Sequence, residues 1–370
     1  MRIFRAPTLY VQGPGALSIT GERASALGRN LTVIGDAMVL PGIQGMLNET
    51  LKRQDISATI VPFSGDVTYR AMDGLAAQAR LNKADVIVGV GGGRTLDAAK
   101  GASRRLGLPF VSVPTAASTD APATRGIVIY DEAHTMVAVE QMDDNPACII
   151  VDTALIAAAP ARLLRGGIGD ALTAKFEAEG CLAGTGFTKA GTRPLRTGLI
   201  LAEGLYRTLL DFGVEAMAAA GTGEPTQALE NVVEAVLFMS AVAFENTGLS
   251  LAHALAAELG AVGSLRAASL HGEHAAYGTL VQAVAEQRAE KEIAELISFM
   301  DAINMPRSLR SLGLSAYDEA QTIAMLAERS AASPMLLNLA KPLDGGAVLR
   351  AIVEVEARAA KPLDPELVRS

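Results

Sequence analysis

The residues whose types most directly suggest chemistry are histidines in the second half of the chain. His253, His271 and His274 are three of the four histidines and fall within 22 positions. Imidazole is the commonest metal ligand among side chains, whereas a lone histidine on an apolar helix is usually a structural residue. Two histidines in neighbouring segments of helical pattern, with an aspartate nearby, leave metal binding and structural burial as equal alternatives.

Asp170 is the aspartate that completes this candidate site. It follows a glycine-rich stretch, residues 166–169. Such a stretch suits either an aspartate that caps a helix or the close approach of backbone to a bound ion. One carboxylate and two imidazoles would leave a coordination position open, which is the catalytic arrangement for Zn²⁺. The same oxygen and nitrogen donors can bind Fe²⁺.

A glycine turn in the first half suggests a second kind of site. Gly91, Gly92 and Gly93 follow an apolar run and precede an Ala-rich segment, a pattern typical of strand, tight turn and helix. Glycines let backbone N–H groups approach a bulky anion, and a helix start adds unpaired donors and a positive dipole end. The turn predicts a pyrophosphate site. It is not the GxGxxG fingerprint, and a turn that binds nothing is the alternative.

Carboxylates and hydroxyls follow other predicted strands. Asp36 ends a strand, where a carboxylate can accept hydrogen bonds from ribose hydroxyls and repel a 2′-phosphate, so it favours NAD over NADP. A capping role is its alternative. Asp97 could face the cofactor or favour the N-terminus of its helix. Residues 115–120 either lie where α/β sheets bind ligands or form an ordinary loop.

These candidate residues lie in two parts of the chain that have different patterns of predicted secondary structure. In the first part of the chain, short β-type runs alternate with helical ones, which predicts a parallel sheet with helices on both faces. The predicted strands are residues 31–36, 57–62, 86–90 and 109–114, and the predicted helices are residues 43–54, 68–81 and 95–106.

After Asp152 the pattern is helical throughout and contains no convincing strand. The predicted helices are residues 156–180, with a break near 165–167, and residues 197–212, 226–244, 283–302, 317–332 and 347–360. The sequence therefore predicts an α/β dinucleotide-binding domain at residues 1–159 and an all-helical domain at residues 160–370.

Composition argues against several classes of protein. The net charge of −8, the few aromatic residues and the absence of Trp disfavour nucleic acid as a partner. Cys148 and Cys181 are too few for a disulfide framework and lie in apolar surroundings, so we expect buried thiols. The N-terminus lacks the apolar core of a signal peptide, and no uncharged apolar run has membrane-spanning length. We therefore expect a cytoplasmic protein.

Taken together, the motifs resemble the glycerol dehydrogenase branch of the iron-containing (group III) alcohol dehydrogenase superfamily. The likeness is carried by residues 10–17, by GGGRTLD at 91–97, by PTAASTDAP at 114–122, by GIGDAL at 167–172 and by LHGE at 270–273. It implies a Rossmann-like NAD domain followed by a helical metal-binding domain, the dehydroquinate synthase-like fold, with the active site in the cleft between them. It also implies a homo-oligomer, a dimer or an octamer.

The resemblance implies roles for individual residues. NAD contacts would come from Asp36, Gly91, Gly92, Gly93, Arg94, Asp97, Thr115, Ser118 and Tyr130. Zn²⁺, with Fe²⁺ as the alternative, would be held by Asp170, His253 and His271. Asp120 would be the catalytic residue that contacts the substrate hydroxyls. The implied reaction is oxidation of glycerol or a related vicinal diol to a hydroxyketone by hydride transfer to NAD⁺.

Departures from the family pattern leave the substrate open. Arg94 and His274 each replace a usual lysine, and residues 254–258 replace the usual segment after His253. The alternative is an NAD(P)-dependent reductase of another polyol, of a glycerol phosphate or of a 2-oxo acid on the same fold. No basic cluster for a phosphate adjoins the histidines, and a dehydroquinate synthase would lack the STDAP loop. A sensor without catalysis is disfavoured because all three candidate ligands are present.

Overall fold

The computed structural model describes residues 1–315 and 319–361. Its strands are β1 (Tyr10–Gly13), β2 (Asn30–Asp36), β3 (Ser57–Phe63), β4 (Val86–Gly91), β5 (Phe110–Pro114), β6 (Gly126–Tyr130), β7 (Met136–Gln141) and β8 (Cys148–Asp152). Among the described residues, no strand follows Asp152, in agreement with the sequence pattern.

Helices occupy most of the remaining chain. They are α1 (Thr20–Ser25), α2 (Leu40–Arg53), α3 (Tyr69–Leu81), α4 (Gly93–Leu106), α5 (Thr153–Ala158), α6 (Ala161–Ala183), α7 (Arg196–Ala219), α8 (Gln227–Glu234), α9 (Ser240–Asn246), α10 (Leu251–Ala261), α11 (Gly263–Ala268), α12 (His271–Ala285), α13 (Glu290–Ala302), α14 (Glu319–Ala331) and α15 (Gly345–Ala359). A π-helical segment, Ala235–Met239, joins α8 to α9, and 3-10 turns lie at Ala16–Ile19 and Pro334–Asn338.

Six strands form one parallel sheet in the order β1-β8-β5-β4-β2-β3. Alternate residues of a strand enter different cores, as the two-residue period of a strand requires. On β4, Ile87 joins the core that includes Met72 of α3 and Leu96 of α4. Its neighbours Val86 and Val88 join the core that includes residues of α2. The predicted parallel sheet with helices on both faces is confirmed.

The hairpin of β6 and β7 forms a separate two-stranded antiparallel sheet. Neither this hairpin nor β1 and β8 was among the predicted strands. All residues of β8 are buried, so its sequence is continuously apolar up to Asp152. It lacks the alternation of apolar and polar residues that would distinguish a strand from the apolar helix that follows.

Three predicted helices differ from the structure. The break predicted near residues 165–167 is wrong: α6 runs through it without interruption, and the chain breaks instead at residues 159–160, where Pro160 stands. The predicted helix 283–302 is two helices, because the chain turns at Gln287, which has a left-handed φ of 56°. Of the predicted helix 317–332, residues 317 and 318 lie outside the described residues, and α14 begins at Glu319.

One helical run, Gln227–Asn246, is long and apolar enough to cross a membrane by length and composition. Most of its apolar window is buried inside the protein, as is typical of a core helix. The chain forms two compact units. The α/β unit contains residues 5–164 and 219–241, and the helical unit contains residues 1–4, 165–218 and the chain from Val242 on. The predicted domain limits, 1–159 and 160–370, remain a prediction, and residues 316–318 and 362–370 of the second lie outside the described residues.

Candidate functional site

Asp170, His253 and His271 lie together in the helical unit. One ligand atom from each lies within 4.8 Å of the other two. The Oδ1 atom of Asp170 is 3.4 Å from Nε2 of His253 and 3.6 Å from Nε2 of His271. At metal–ligand distances of about 2.0–2.2 Å, two ligands of a tetrahedral Zn²⁺ are separated by about 3.4 Å. The donor types and their spacing therefore fit one divalent cation.

Close packing of two helices brings Asp170 and His271 together. A Cβ atom on Gly272 would lie 1.8 Å from the carbonyl oxygen of Gly166, and one on Gly169 would lie 2.3 Å from the carbonyl oxygen of Gly272. Glycine at these positions lets the start of α12 contact the backbone of α6. Asp170 lies inside α6, so the capping alternative for this residue is wrong. The glycines serve contact between helices.

Glu177 is a member of this site that the sequence analysis missed. Its Oε2 atom is 2.7 Å from Nδ1 of His253, and its Oε1 atom accepts hydrogen bonds from the backbone N–H groups of Ser250 (2.7 Å) and His253 (3.0 Å). A carboxylate at Nδ1 fixes the histidine tautomer whose Nε2 lone pair is available to a metal. The signal was present in the sequence, because Glu177 lies two helical turns after Asp170 and so on the same face of α6.

The histidines of the site differ in their electrostatic surroundings. Burial alone would lower the pKa of His253, but the carboxylates of Glu177 and Asp170 outweigh it and raise that pKa well above the ordinary value. For His271 burial dominates and lowers the pKa, although half of its side chain remains exposed. A lowered pKa favours the neutral imidazole, which is the form that binds a metal.

His274 has a different environment from the other two. It is buried, and its Nε2 atom is 2.6 Å from the hydroxyl of Ser269. Burial lowers its pKa to about 4, so the side chain is neutral at physiological pH. The structure therefore gives His274 the contacts of a core residue.

The candidates of the α/β unit gather at the carboxyl ends of adjacent strands. Asp36 ends β2, where its Oδ2 atom accepts a hydrogen bond from the Thr95 hydroxyl (3.3 Å) and its Oδ1 atom accepts one from the N–H of Met38 (2.9 Å). A Cβ on Gly91, the last residue of β4, would lie 2.8 Å from Cβ of Thr95 and 2.9 Å from Cβ of Asp36. Glycine is therefore required there for close approach.

The glycine turn leads directly into α4. Gly92 is the N-cap residue and, as a glycine, has no side chain to cap the helix, so the first N–H groups of α4 are suitably placed for an anion. The loop after β5 lies beside this turn: the N–H of Thr115 donates to the carbonyl of Gly91 at 3.1 Å. A Cβ on Gly93 would lie 3.4 Å from the Thr119 hydroxyl.

Four other predicted residues lie at the start of α4, in the loop after β5 and at the end of β6. Arg94 is exposed and lies 3.3 Å from the buried carboxylate of Asp66. Ser118 and Asp120 are partly exposed in the loop after β5. Tyr130 ends β6 and is partly buried, and burial raises the pKa of its hydroxyl.

Asp97 is placed differently from the other predicted cofactor contacts. It is buried, with its Oδ1 atom 3.0 Å from Nζ of Lys100 and its Oδ2 atom accepting a hydrogen bond of 3.0 Å from the N–H of Val128. Both oxygens thus bind groups of the protein. A contact between Asp97 and the cofactor remains a prediction, and these hydrogen bonds do not support it.

Comparisons with known proteins agree with one another. The family model for iron-containing alcohol dehydrogenase matches residues 7–153. A glycerol dehydrogenase of Escherichia coli O6:H1 is 38% identical over 85% of each chain. A glycolaldehyde reductase of Halobacterium salinarum is 34% identical over 87% of this chain and 91% of its own. The crystal structure of glycerol dehydrogenase from Schizosaccharomyces pombe matches with a TM-score of 0.92 at 30% identity, over 99% of this chain and 95% of the other.

Proposed function

Because the chain belongs to the iron-containing alcohol dehydrogenase family, we propose that it oxidises glycerol or a related vicinal diol to a hydroxyketone, with NAD⁺ and a divalent metal ion. The observation that carries this proposal is the convergence of Asp170, His253 and His271 within 4.8 Å. Similarity to glycerol dehydrogenases supports the substrate class.

We propose Zn²⁺ as the metal, since one carboxylate oxygen and two imidazole nitrogens suit it and leave a coordination position for substrate; Fe²⁺ accepts the same donors. When bound, Zn²⁺ supplies a Lewis acid that stabilises negative charge on a substrate oxygen, and NAD⁺ supplies the acceptor for hydride. The protein holds the donors in place: α6 and α12 fix Asp170 and His271, and Glu177 orients His253.

The α/β unit would bind the cofactor. The backbone N–H groups at the start of α4 would bind the pyrophosphate, and the carboxylate of Asp36 would accept hydrogen bonds from the ribose hydroxyls. Thr115, Ser118 and Tyr130 would border the bound cofactor. A carboxylate at position 36 also repels a 2′-phosphate, so NAD⁺ is preferred to NADP⁺.

Asp120 would orient the substrate. Its carboxylate can accept a hydrogen bond from a hydroxyl beside the carbon that loses hydride, which favours a diol over a simple alcohol. The hydroxyl proton would leave through water. His274, a third histidine near the proposed ligands in sequence, is buried and bonded to Ser269 and would not relay it.

Reduction of a hydroxyaldehyde is the second candidate function, favoured by the similarity to a glycolaldehyde reductase. It would use the same residues in the opposite direction, with NADH as the hydride donor. Measuring both directions with the same preparation distinguishes the two.

A substrate screen tests the proposal. The protein, with added Zn²⁺, is assayed for reduction of NAD⁺ and NADP⁺ with glycerol, 1,2-propanediol, 2,3-butanediol, glycerol phosphate and 2-hydroxy acids, and for oxidation of NADH with glycolaldehyde. We expect NAD⁺ reduction by the neutral vicinal diols, lost in the Asp170→Asn variant. Preference for glycerol phosphate or a 2-hydroxy acid, or full turnover by Asp170→Asn in chelator-treated buffer, would contradict the proposal.

A further inference from the structure

The buried ion pair of Asp97 and Lys100 has no role in the proposed chemistry. It lies on α4, one turn after the glycine turn, with 5% of Asp97 and none of Lys100 exposed. A buried pair of charges is weak support for stability, because desolvation offsets much of the attraction. Its presence in the centre of the α/β unit therefore invites another explanation.

Both charges of the pair bind the backbone of one strand. The Nζ atom of Lys100 donates to the carbonyl of Gly126 at 2.8 Å, and Oδ2 of Asp97 accepts from the N–H of Val128 at 3.0 Å. Gly126 and Val128 are alternate residues of β6, so these groups lie on one edge of the strand. The N–H of Tyr130, the next alternate residue, donates on to the carbonyl of Val67 at 2.9 Å.

Among the described residues, no strand pairs with this edge of β6. β7 pairs with β6 on its other side, and an unpaired buried N–H or C=O is unfavourable in a protein interior. The ion pair thus supplies the hydrogen-bond partners that a neighbouring strand would supply. Lys100 is the donor and Asp97 the acceptor, and the backbone groups that they bind are two residues apart on β6, as in a β ladder. Because a ladder fixes register, the pair also fixes the position of β6 along α4.

We propose that Asp97 and Lys100 are positioning residues that hold the β6–β7 hairpin, and with it Tyr130, against the glycine turn so that the site for NAD is preformed. This inference rests on the proposed function, since it needs the turn to bind NAD. It gives Asp97 an indirect role in cofactor binding: the carboxylate acts through the backbone of Val128.

The test uses a double variant, Asp97→Leu with Lys100→Met. It removes both backbone contacts together and avoids the single buried charge that removal of one partner alone would leave. We expect the dissociation constant for NADH, measured by fluorescence titration, to rise about tenfold because preorganisation of the site is lost. KM for NAD⁺ should rise in parallel, whereas kcat at saturating NAD⁺ and bound Zn²⁺ should change little. The melting temperature should fall, because the C=O of Gly126 and the N–H of Val128 lose their partners.

Deuterium exchange at residues 126–130 measures the hairpin directly and needs no cofactor. We expect faster exchange there in the double variant. The matched control is Arg104→Gln with Glu140→Gln, which removes an exposed ion pair, 2.8 Å long, between the same helix and the same hairpin. Exposed pairs contribute little, so the control should bind NADH as the unaltered chain does.

A second variant covers the case in which the double variant does not fold. Val128→Pro deletes the N–H that binds Asp97 but keeps the ion pair, and it breaks no ladder bond between β6 and β7, because that N–H points away from β7. It should also weaken NADH binding. A folded variant with unchanged NADH affinity, or unchanged exchange at residues 126–130, would overturn the inference alone. Absence of NADH binding by the unaltered chain would overturn the proposed function as well.

Discussion

Glu177 shows how one buried side chain can orient a proposed metal ligand, His253. One carboxylate oxygen binds the ring of His253, and the other accepts hydrogen bonds from backbone N–H groups where α10 begins. The orientation of the imidazole and the position of its helix therefore depend on the same residue. With only 1% of Glu177 exposed, no solvent contact competes with these hydrogen bonds.

Replacing Glu177 with Gln should weaken metal binding without removing a ligand. The neutral amide no longer stabilises the N–H at Nδ1 by charge, and loss of such a partner typically lowers metal affinity by about 10- to 100-fold. Competition with a coloured chelator measures the dissociation constant for Zn²⁺ in the variant and in the unaltered chain.

Two reference variants give the upper and lower limits expected for the loss of Zn²⁺ affinity. Asp170→Asn, which changes a proposed ligand, should lose Zn²⁺ more completely than Glu177→Gln. Glu295→Gln removes an exposed carboxylate of the same helical unit, 3.4 Å from Arg207, and should leave Zn²⁺ affinity unchanged. If Glu177→Gln bound Zn²⁺ as tightly as the unaltered chain, Glu177 would have no part in the site.

At the scale of elements, the contact between α6 and α12 is set by glycine. The backbones of the two helices are so close that a Cβ added to Gly272 would lie 1.8 Å from the carbonyl oxygen of Gly166. Here the approach brings Asp170 of α6 and His271 of α12 together. A change in packing at Gly272 thus becomes a change in the geometry of the proposed ligands.

Gly272→Ala should therefore damage both stability and metal binding. Backbone atoms cannot rotate away, so the helices must separate, and overpacking of this kind typically costs about 1–3 kcal/mol or more. Thermal melting followed by circular dichroism measures the first effect and Zn²⁺ content measures the second. Gly263→Ala is the control, because its Cβ would meet no atom within 4 Å. A melting temperature for Gly272→Ala equal to that of the control would show that the helices tolerate separation.

The same glycines show where sequence reasoning reached its limit. The glycine-rich stretch before Asp170 indicates a helix break or a cap when propensity alone is considered, yet packing against α12 keeps α6 continuous. Propensity is a local quantity, whereas the contact with Gly272 joins segments about a hundred residues apart. No local pattern carries that information.

Other features were accessible to sequence reasoning because they are local or carried by motifs. The central strands and their helices follow from alternating runs, and the family resemblance is confirmed by the matches to known proteins. The hairpin was missed because β7 is largely exposed and so lacks the buried apolar run that marks the central strands. The contacts of Asp97 could not be predicted, since its partner Val128 lies 31 positions away and donates through its backbone.

At the scale of the whole molecule, each compact unit contains one buried thiol. Cys148 lies on β8 of the α/β unit and Cys181 on α6 of the helical unit. Burial raises the pKa of Cys148 to about 11 and that of Cys181 to about 12. A thiol ionises only above its pKa, and the thiolate is the reactive form. Each cysteine can therefore report on the integrity of its own unit.

We expect neither thiol of the native protein to react readily with an aromatic disulfide reagent at pH 8, where a thiol of pKa about 11 is ionised in about one molecule in a thousand. In denaturant both should react. The variants Cys148→Ala and Cys181→Ala assign each reaction to a unit, so titration through an unfolding transition shows whether the units unfold together. Rapid reaction of either thiol in the native protein would contradict the burial described here.

The order of the strands has a consequence for how the chain is made. β1 forms its ladder with β8, Tyr10 opposite Ile149, and the side chain of Gln12 on β1 donates to the carbonyl of Glu230 at 2.9 Å. On the ribosome, the first strand must wait for residues far downstream to be translated before it can dock. The nascent α/β unit thus stays open at that edge until Glu230 has been translated, and a gene fragment ending at residue 164 would encode it without its last segment, residues 219–241.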